Sequence, residues 1–425
     1  MKLKWFGWLG LIALDAFAGP LTLGDALSEA HARGFDLRTA EAVVRQAQAD
    51  VVAARAVSNP SLSVGAGPSL GCFGPGCRAG SPTVIAQLTD QGALSQVLLG
   101  KVGLRSEVAQ AGLRSAEAMA ADTRRQLDAL VKQQFIAVVV GERAVALARE
   151  IRDGATQTSA LMNERYRAGA VDEADVARVE TQRFEAEQAL DGATQNVVAQ
   201  RAALALLLGR QGGLSGIELA GAEFLTGVPA PSFGGDSPEA LVTRALASRP
   251  DVRAQQAQVD QADRALALAQ RLRVPDLSLV ASYGQQGISP DYSSPPNMTF
   301  GLSAPLPLLY QQQGEVDRAV AALEGERIQL ERVRAQVRSD VETAWAAYLA
   351  ATSQLKRMES GLKASANSAR ALVAVQYEKG TASLIELIDA QRTFVAVNVE
   401  SLQVVQGYWT AVFRLEAALG QEQSS

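Results

Sequence analysis

The feature that most constrains this chain occurs twice. Tyr166-Arg167-Ala168-Gly169 and Tyr377-Glu378-Lys379-Gly380 lie 211 positions apart, and each breaks a long alanine-rich helical pattern with one glycine. Glycine adopts a left-handed backbone without steric cost, so it commonly stands just past a helix end. Asp172 and Ser383 follow, each able to cap a new helix by accepting an amide hydrogen bond. The spacing therefore predicts two helical hairpins with tight bends at matching positions.

The flanking chain repeats with the turns. Pro250-Asp251-Val252-Arg253 matches Phe35-Asp36-Leu37-Arg38, and Val274-Pro275-Asp276-Leu277-Ser278 matches Asn59-Pro60-Ser61-Leu62-Ser63, both 215 positions apart. Past the extended segments the offset becomes 211, which puts the length difference in a hairpin loop, where surface segments tolerate it. Such a pattern is an internal duplication. Residues 19–210 form the first repeat, with strands at about 61–67 and 83–98. A Gly/Pro-rich linker covers 211–236, a second repeat covers 237–420 with strands at about 277–285 and 298–308, and 421–425 are a tail. Each repeat reads helix, strand, strand, long helix, turn, helix. The opening helix is expected from Leu21 to about Ser58, where Asn59-Pro60 stops it. The first long helix is expected from about Gly103 to Tyr166, roughly 95 Å at about 1.5 Å per residue. Leu127, Leu130, Val131, Phe135 and Val138 mark its apolar stripe.

Aromatic residues make up 5% of the 425 residues, which suits long packed helices rather than an aromatic-centred core. The net charge of −5 gives no electrostatic case for nucleic-acid binding. Met1-Lys2-Leu3-Lys4, the apolar run Trp5 to Leu14 and Ala16-Phe17-Ala18 have the order of a secretory signal, so residues 1–18 are expected to be removed. No cysteine stands near that cleavage site, so no acyl anchor is expected there. Cys72 and Cys77 flank Phe73-Gly74-Pro75-Gly76, a spacing that suits a small disulfide loop in an oxidising compartment, with free thiols as the alternative. No metal-ligand cluster, phosphate-binding loop or nucleophile elbow occurs, and His31 is the only histidine. Neither an enzyme nor a resident cofactor is expected.

The second-half strands carry the membrane argument. Leu277, Leu279, Ala281 and Tyr283 alternate with Ser278, Val280, Ser282 and Gly284. Met298, Phe300, Leu302, Ala304 and Leu306 alternate with Thr299, Gly301, Ser303, Pro305 and Pro307. An apolar set opposite a small or polar set suits a transmembrane β-strand with one face to lipid and one to a lumen. A soluble hairpin is the alternative, but an isolated one is barely stable. Four strands cannot close a barrel, so several copies would have to share one.

The ordered set of features resembles the outer-membrane efflux channel (TolC-like) family over essentially the whole mature chain. It comprises the helix–Pro–strand junctions at Pro60 and Pro275, Ala304-Pro305-Leu306-Pro307-Leu308, both Tyr-x-x-Gly turns and Leu384-Ile385-Glu386-Leu387-Ile388-Asp389-Ala390-Gln391. The resemblance implies a mainly α fold with a small β part. It implies a homotrimeric α-barrel in the periplasm beneath a shared twelve-stranded barrel in outer-membrane lipid. It further implies docking to a periplasmic adaptor and an inner-membrane pump, as the passive conduit for small molecules or metal ions. The competing class is an exported trimeric coiled-coil scaffold without channel activity.

Carried over by position, the family's constricting residues fall on Asp175, Tyr377, Glu386 and Asp389. Three-fold rings of carboxylates would favour cations. Ser383 to Glu386 is also a capping box, and Asp172 to Asp175 imitates one, so helix capping already accounts for Glu386 and Asp175. Asp389 lies a turn deeper, where its alternative is an exposed pair with Arg392. The tips Gly169, Ala170, Gly380 and Thr381 are the expected adaptor contacts, although turn chemistry alone also calls for the glycines. The best-known family members carry a basic residue two positions after the second turn glycine. Here that position is Ala382, so a resting state less dependent on salt bridges is expected.

Overall fold

A computed structural model describes residues 19–68, 82–225, 233, 237–286 and 295–420. The expected signal segment, Cys72 with Cys77, and the tail 421–425 lie outside the described residues.

Helices α1 (Leu23–Arg33) and α2 (Phe35–Arg55) lead into strands β1 (Ser61–Pro68) and β2 (Pro82–Thr89). After α3 (Ala93–Leu98) come α4 (Lys101–Arg167) and α5 (Glu173–Leu207). The second half supplies α6 (Pro238–Ser248), α7 (Pro250–Leu272), β3 (Ser278–Gln286) and β4 (Asn297–Ser303). It ends with α8 (Gln313–Arg357), α9 (Lys363–Glu378) and α10 (Leu384–Leu419). The duplication is visible in the bounds. Leu23 and Pro238, and Phe35 and Pro250, begin equivalent helices 215 positions apart, while Glu173 and Leu384 do so 211 apart.

Four expectations change. The opening helix is two helices, because the chain leaves helical geometry at Gly34 (ψ 129°), where a Cβ would stand 2.4 Å from the Ala30 carbonyl oxygen. In the second half Pro250 starts the new helix, at the position where a missing amide hydrogen costs nothing. The strand expected over 83–98 stops at Thr89. The Asp90 carboxylate accepts hydrogen bonds from the amides of Gly92, Leu94 and Leu279, and the chain turns into α3. The strand expected over 298–308 stops at Ser303, ahead of Pro305 and Pro307, which lack ladder donors. The second long helix is interrupted by a π-helical turn, Met358–Leu362, with Gly361 at φ 156°, whereas α4 runs unbroken for 67 residues. Of the stripe read along α4, Leu127, Val131, Phe135 and Val138 are buried and Leu130 is half exposed.

The chain divides into two compact units, each drawing on both repeats. One comprises the described parts of Met1–Arg38, Arg124–Ala245 and Ser339–Ser425, and the other Thr39–Thr123 and Leu246–Arg338. The first has an aromatic core that the low aromatic content did not announce. Phe135 and Trp409 both meet Phe224 edge-on, Trp409 stacks on Phe413, and Tyr408 meets Tyr348, which in turn meets Phe233. Burial holds the Tyr408 hydroxyl protonated, with its pKa pushed up to about 12. The expected linker belongs here too. Leu21 pairs in parallel with Leu219, and Ala222–Phe224 forms a 3-10 turn whose Phe224 carbonyl accepts from the Trp409 indole at 3.1 Å.

The second unit holds the sheet, antiparallel in the order β1-β2-β3-β4. Opposed residues share a face, so the register sorts the side chains. One face carries Leu62, Val64, Ala66, Val84, Ala86, Leu88, Leu279, Ala281, Tyr283, Met298, Phe300 and Leu302, with Pro68 at its end and Gln285, opposite Val84, as its polar member. The other is Ser, Thr, Gly, Gln and Asn, with Ile85 and Val280 as its aliphatic members. No described strand contains a charged residue. Among the described residues, β1 and β4 each keep one edge without a neighbouring strand.

A buried ion pair anchors β3. The Lys101 ammonium, 4% exposed, donates to Asp276 at 2.7 Å and to the Val274 carbonyl at 2.5 Å, while Gln96 donates to the other Asp276 oxygen. Removing one partner of a buried pair leaves the other uncompensated. Lys101→Met is expected to destabilise the protein by about 2–3 kcal/mol, below the range for fully buried pairs because Asp276 keeps some solvent access. Adding Asp276→Leu should restore most of the loss. Thermal melts of the detergent-solubilised protein, single against double variant, check this.

Candidate functional site

The two turns belong to one unit and have the same geometry. At the first, the amides of Gly169 and Ala170 return to the carbonyls of Tyr166 and Arg165. At the second, those of Gly380 and Thr381 return to Tyr377 and Gln376. Gly169 (φ 70°) and Gly380 (φ 75°) supply the left-handed residue that this helix-ending motif requires. Asp172 then caps α5, its carboxylate accepting from the Asp175 amide at 2.8 Å. Ser383 caps α10 in a full capping box. Its hydroxyl accepts from the Glu386 amide at 3.2 Å, while the Glu386 carboxylate accepts from the Ser383 amide at 2.6 Å and hydroxyl at 2.9 Å.

A common core joins the turns. Met162 of α4 and Val179 of α5 pack with Leu384, Leu387 and Ile388 of α10, and Val171, Val373, Ala374 and Tyr377 close around them. Tyr377, expected at a constriction, is half-buried in this seam. Its hydroxyl accepts from Arg165 at 3.1 Å and contacts the Met162 sulfur at 3.7 Å, and the guanidinium stands 5.4 Å from its ring centre. The sequence reading passed over Arg165. Its signal was a cation one residue before Tyr166, across from the second tyrosine, visible only once the hairpins are laid side by side.

The carboxylates occupy three different situations. Glu386 is committed to its cap, and the bonds from Ser383, backbone first, hold its carboxyl below the ordinary 4.5. Asp175 pairs with Arg178 at 3.0 Å. Asp389 is exposed and makes no hydrogen bond or ion pair among the described residues. The alternative, an exposed pair with Arg392, is not formed; Arg392 stands 3.9 Å from Glu185 instead. Asp389 lines a surface recess of about 340 Å³ with Arg178, Thr181, Ile385, Ile388 and Arg392. Arg178 is the first-repeat counterpart of Asp389, so the duplicated position carries opposite charges on facing helices.

Above the shared core, α4, α5, α9 and α10 enclose a cavity of about 390 Å³. Gln182 donates to Gln391 across it at 3.0 Å, and Arg370 lies 4.2 Å from the Phe394 ring centre at its edge. The matching level of the first hairpin is instead closed by polar bonds. Glu180 accepts from Ser159 at 2.5 Å, Asn163 at 3.2 Å and Arg183 at 3.1 Å, and the Ser159 hydroxyl, then Arg183, lowers its pKa. Among the described residues no cluster of three or more His, Cys, Asp or Glu side chains could hold a metal ion. No described helix is long and apolar enough to cross a membrane.

A duplicated pair of helical hairpins and a two-faced sheet define a chain of the efflux-channel type, and comparison with known proteins agrees. Residues 26–210 and 241–421 match the outer membrane efflux protein family, and the chain belongs to it. Membership makes it an outer-membrane efflux protein whose helical bulk is its periplasmic part. The cobalt-zinc-cadmium resistance protein CzcC of Cupriavidus metallidurans is 24% identical over 405 residues, covering 95% of this chain and 91% of that one. A membrane protein from Pseudomonas aeruginosa shares the fold with a TM-score of 0.79 at 20% identity, over 94% of this chain and 90% of that one. CusC does so at 0.75 and 19%, over 94% and 92%. The open-state MtrE outer membrane channel of Neisseria gonorrhoeae scores 0.73 at 21%, over 94% and 88%.

Glu386 has a lowered pKa in the fold, so its capping contribution is present above the ordinary carboxylate range. It is lost as pH falls through the depressed value. Ser383→Ala should therefore speed hydrogen exchange of the first turn of α10 several-fold at neutral pH. The part of that difference owed to the hydroxyl–Glu386 carboxylate bond should fade as pH falls through the depressed value, while the part owed to the lost hydroxyl acceptor should persist in acid. Peptide-level exchange at two pH values, corrected for intrinsic rates, measures it.

Proposed function

We propose that three copies of this chain build a passive outer-membrane conduit, in which twelve strands close one barrel and the helices continue it into the periplasm. The observation that carries this reading is the sheet: one face apolar but for Gln285, one largely small and polar face, and two open edges among the described residues, in a family of outer-membrane proteins. Open edges must be paired in lipid, where no water can satisfy them, so a second and third copy are the natural partners. A coiled-coil scaffold has no use for lipid-facing strands.

In this reading the barrel sorts solutes by size, since its strand faces carry no charge, and charge selection falls to the turn region. Asp389 is the best candidate there. It is exposed, unpaired and beyond the reach of capping, whereas Glu386 and Asp175 are engaged with Ser383 and Arg178. Tyr377 with Arg165 acts as the clasp between hairpins. Gly169, Ala170, Gly380 and Thr381 are the tips that meet a periplasmic adaptor, which couples the conduit to an inner-membrane pump. The carboxylate and the likeness to a cobalt-zinc-cadmium resistance protein favour divalent metal ions as cargo.

Extraction from outer membranes should give a detergent-soluble trimer that conducts in planar bilayers, and a water-soluble monomer without current would overturn the reading. Asp389→Asn should lower the cation preference measured by reversal potential, with little change for Glu386→Gln. Ala170→Arg with Thr381→Arg should abolish metal resistance in cells while trimer mass and conductance persist.

A further inference from the structure

Phe184 lies on α5 with more than half of its surface exposed, and the Arg183 guanidinium stands 4.3 Å from its ring centre. Arg183 is itself fixed by Glu180 at 3.0 Å and Glu187 at 2.6 Å, so the cation shields one ring face in a set position and leaves the other open. We infer that Phe184 is an anchor between copies of this chain, inserting beside α9 and α10 of the partner subunit. The inference rests on the trimeric reading above and adds its register.

The internal duplication supplies that register. Within one chain, the α4–α5 hairpin lies against the α9–α10 hairpin, and the side chain that α10 presents to the cavity between them includes Val395, the counterpart of Phe184 at the 211 offset. In a ring of three copies, α9–α10 of one chain must in turn meet α4–α5 of the next. If equivalent faces are used, Phe184 takes the place of Val395. The wall opposite then consists of Ser365 of the partner subunit, where Gly154 stands inside one chain, and Thr393 of the partner subunit, where Gln182 stands. Phenylalanine reaches further than valine, so it fills a space that stays open inside one chain.

Two other intramolecular bonds survive the same exchange with altered partners. Gln182 donating to Gln391 becomes Thr393 of the partner subunit facing Glu180, a donor facing a carboxylate. Arg165 donating to Tyr377 becomes Gln376 of the partner subunit facing Tyr166, which is exposed in the single chain. Each replacement keeps a donor opposite an acceptor. The seam between copies is therefore packed by Phe184 and lacks the arginine, while the seam within a chain has the arginine and a cavity.

The test places a photo-crosslinking benzoylphenylalanine at position 184 in the full-length protein in outer membranes. Irradiation should give covalent dimers on denaturing gels, with the crosslink mapping by mass spectrometry to 362–369 or 393–397 of a second chain. Crosslinks within the same chain, or to other segments, would overturn the contact. A trimer by native mass that yields no dimer would do so as well. A wild-type protein that is monomeric in native mass would instead remove the trimeric reading on which the contact stands. Phe184→Glu should shift the native mass toward monomer with helix content unchanged, and Phe184→Leu should keep the trimer. A Phe184→Glu trimer as heat-resistant as the parent would also overturn the anchor.

Discussion

Backbone hydrogen bonding in the sheet is the constraint on which the rest of this protein depends. A strand has a side-chain period of two, so slipping any pairing by one residue would exchange its apolar and polar faces. The observed register aligns Leu62 with Leu88, Ala281 with Phe300 and Leu279 with Leu302, and no apolar large side chain of β1 or β4 falls on the wrong face. Lys101 and Asp276 hold the point where β3 begins, and Asp90 gathers the amides where β2 ends. Both devices sit at strand boundaries, where register is either fixed or lost.

Duplication explains the helices, and divergence between the halves explains what they can do. The first hairpin is bound by the Glu180 set of hydrogen bonds and grows from an unbroken α4. The second replaces Ser159 and Arg183 with Arg370 and Phe394, and its long helix contains the π-helical turn at Met358–Leu362. A π turn leaves backbone bonds off the regular ladder and tends to mark a site of adjustment. Equal turns at Gly169 and Gly380 thus close hairpins that differ in polar bonding and in helix regularity.

Much of this was legible in the sequence because it depends on local rules. Two Tyr-x-x-Gly turns, two caps and an alternating pattern at Leu279 to Tyr283 each follow from backbone chemistry within a few residues. The misplaced ends had equally local causes that periodicity hides. Leu94, Val97 and Leu98 read as strand or helix alike, and only the hydrogen bonds to Asp90 decide between them. The helical periodicity from Leu21 to Ser58 runs straight through Gly34, and only the backbone there shows the break. The aromatic core and Arg165 were not legible, since Phe135, Phe224, Tyr348 and Trp409 come from segments far apart in the chain.

The turn carboxylates differ in how far helix capping already engages them. A helix start needs an acceptor within its first residues, and an acidic side chain there is held by amide donors and the helix dipole. Glu386 answers that need completely, with three hydrogen bonds to Ser383. One turn further along, no backbone donor remains free, so Asp389 has nothing in its own helix to bind. The duplicated position on α5 carries Arg178, which pairs with Asp175 and lines the same recess as Asp389. In the proposed conduit, an exposed carboxylate such as Asp389 keeps a hydration shell that it can exchange for a passing cation, which a capping carboxylate cannot do without unravelling its helix.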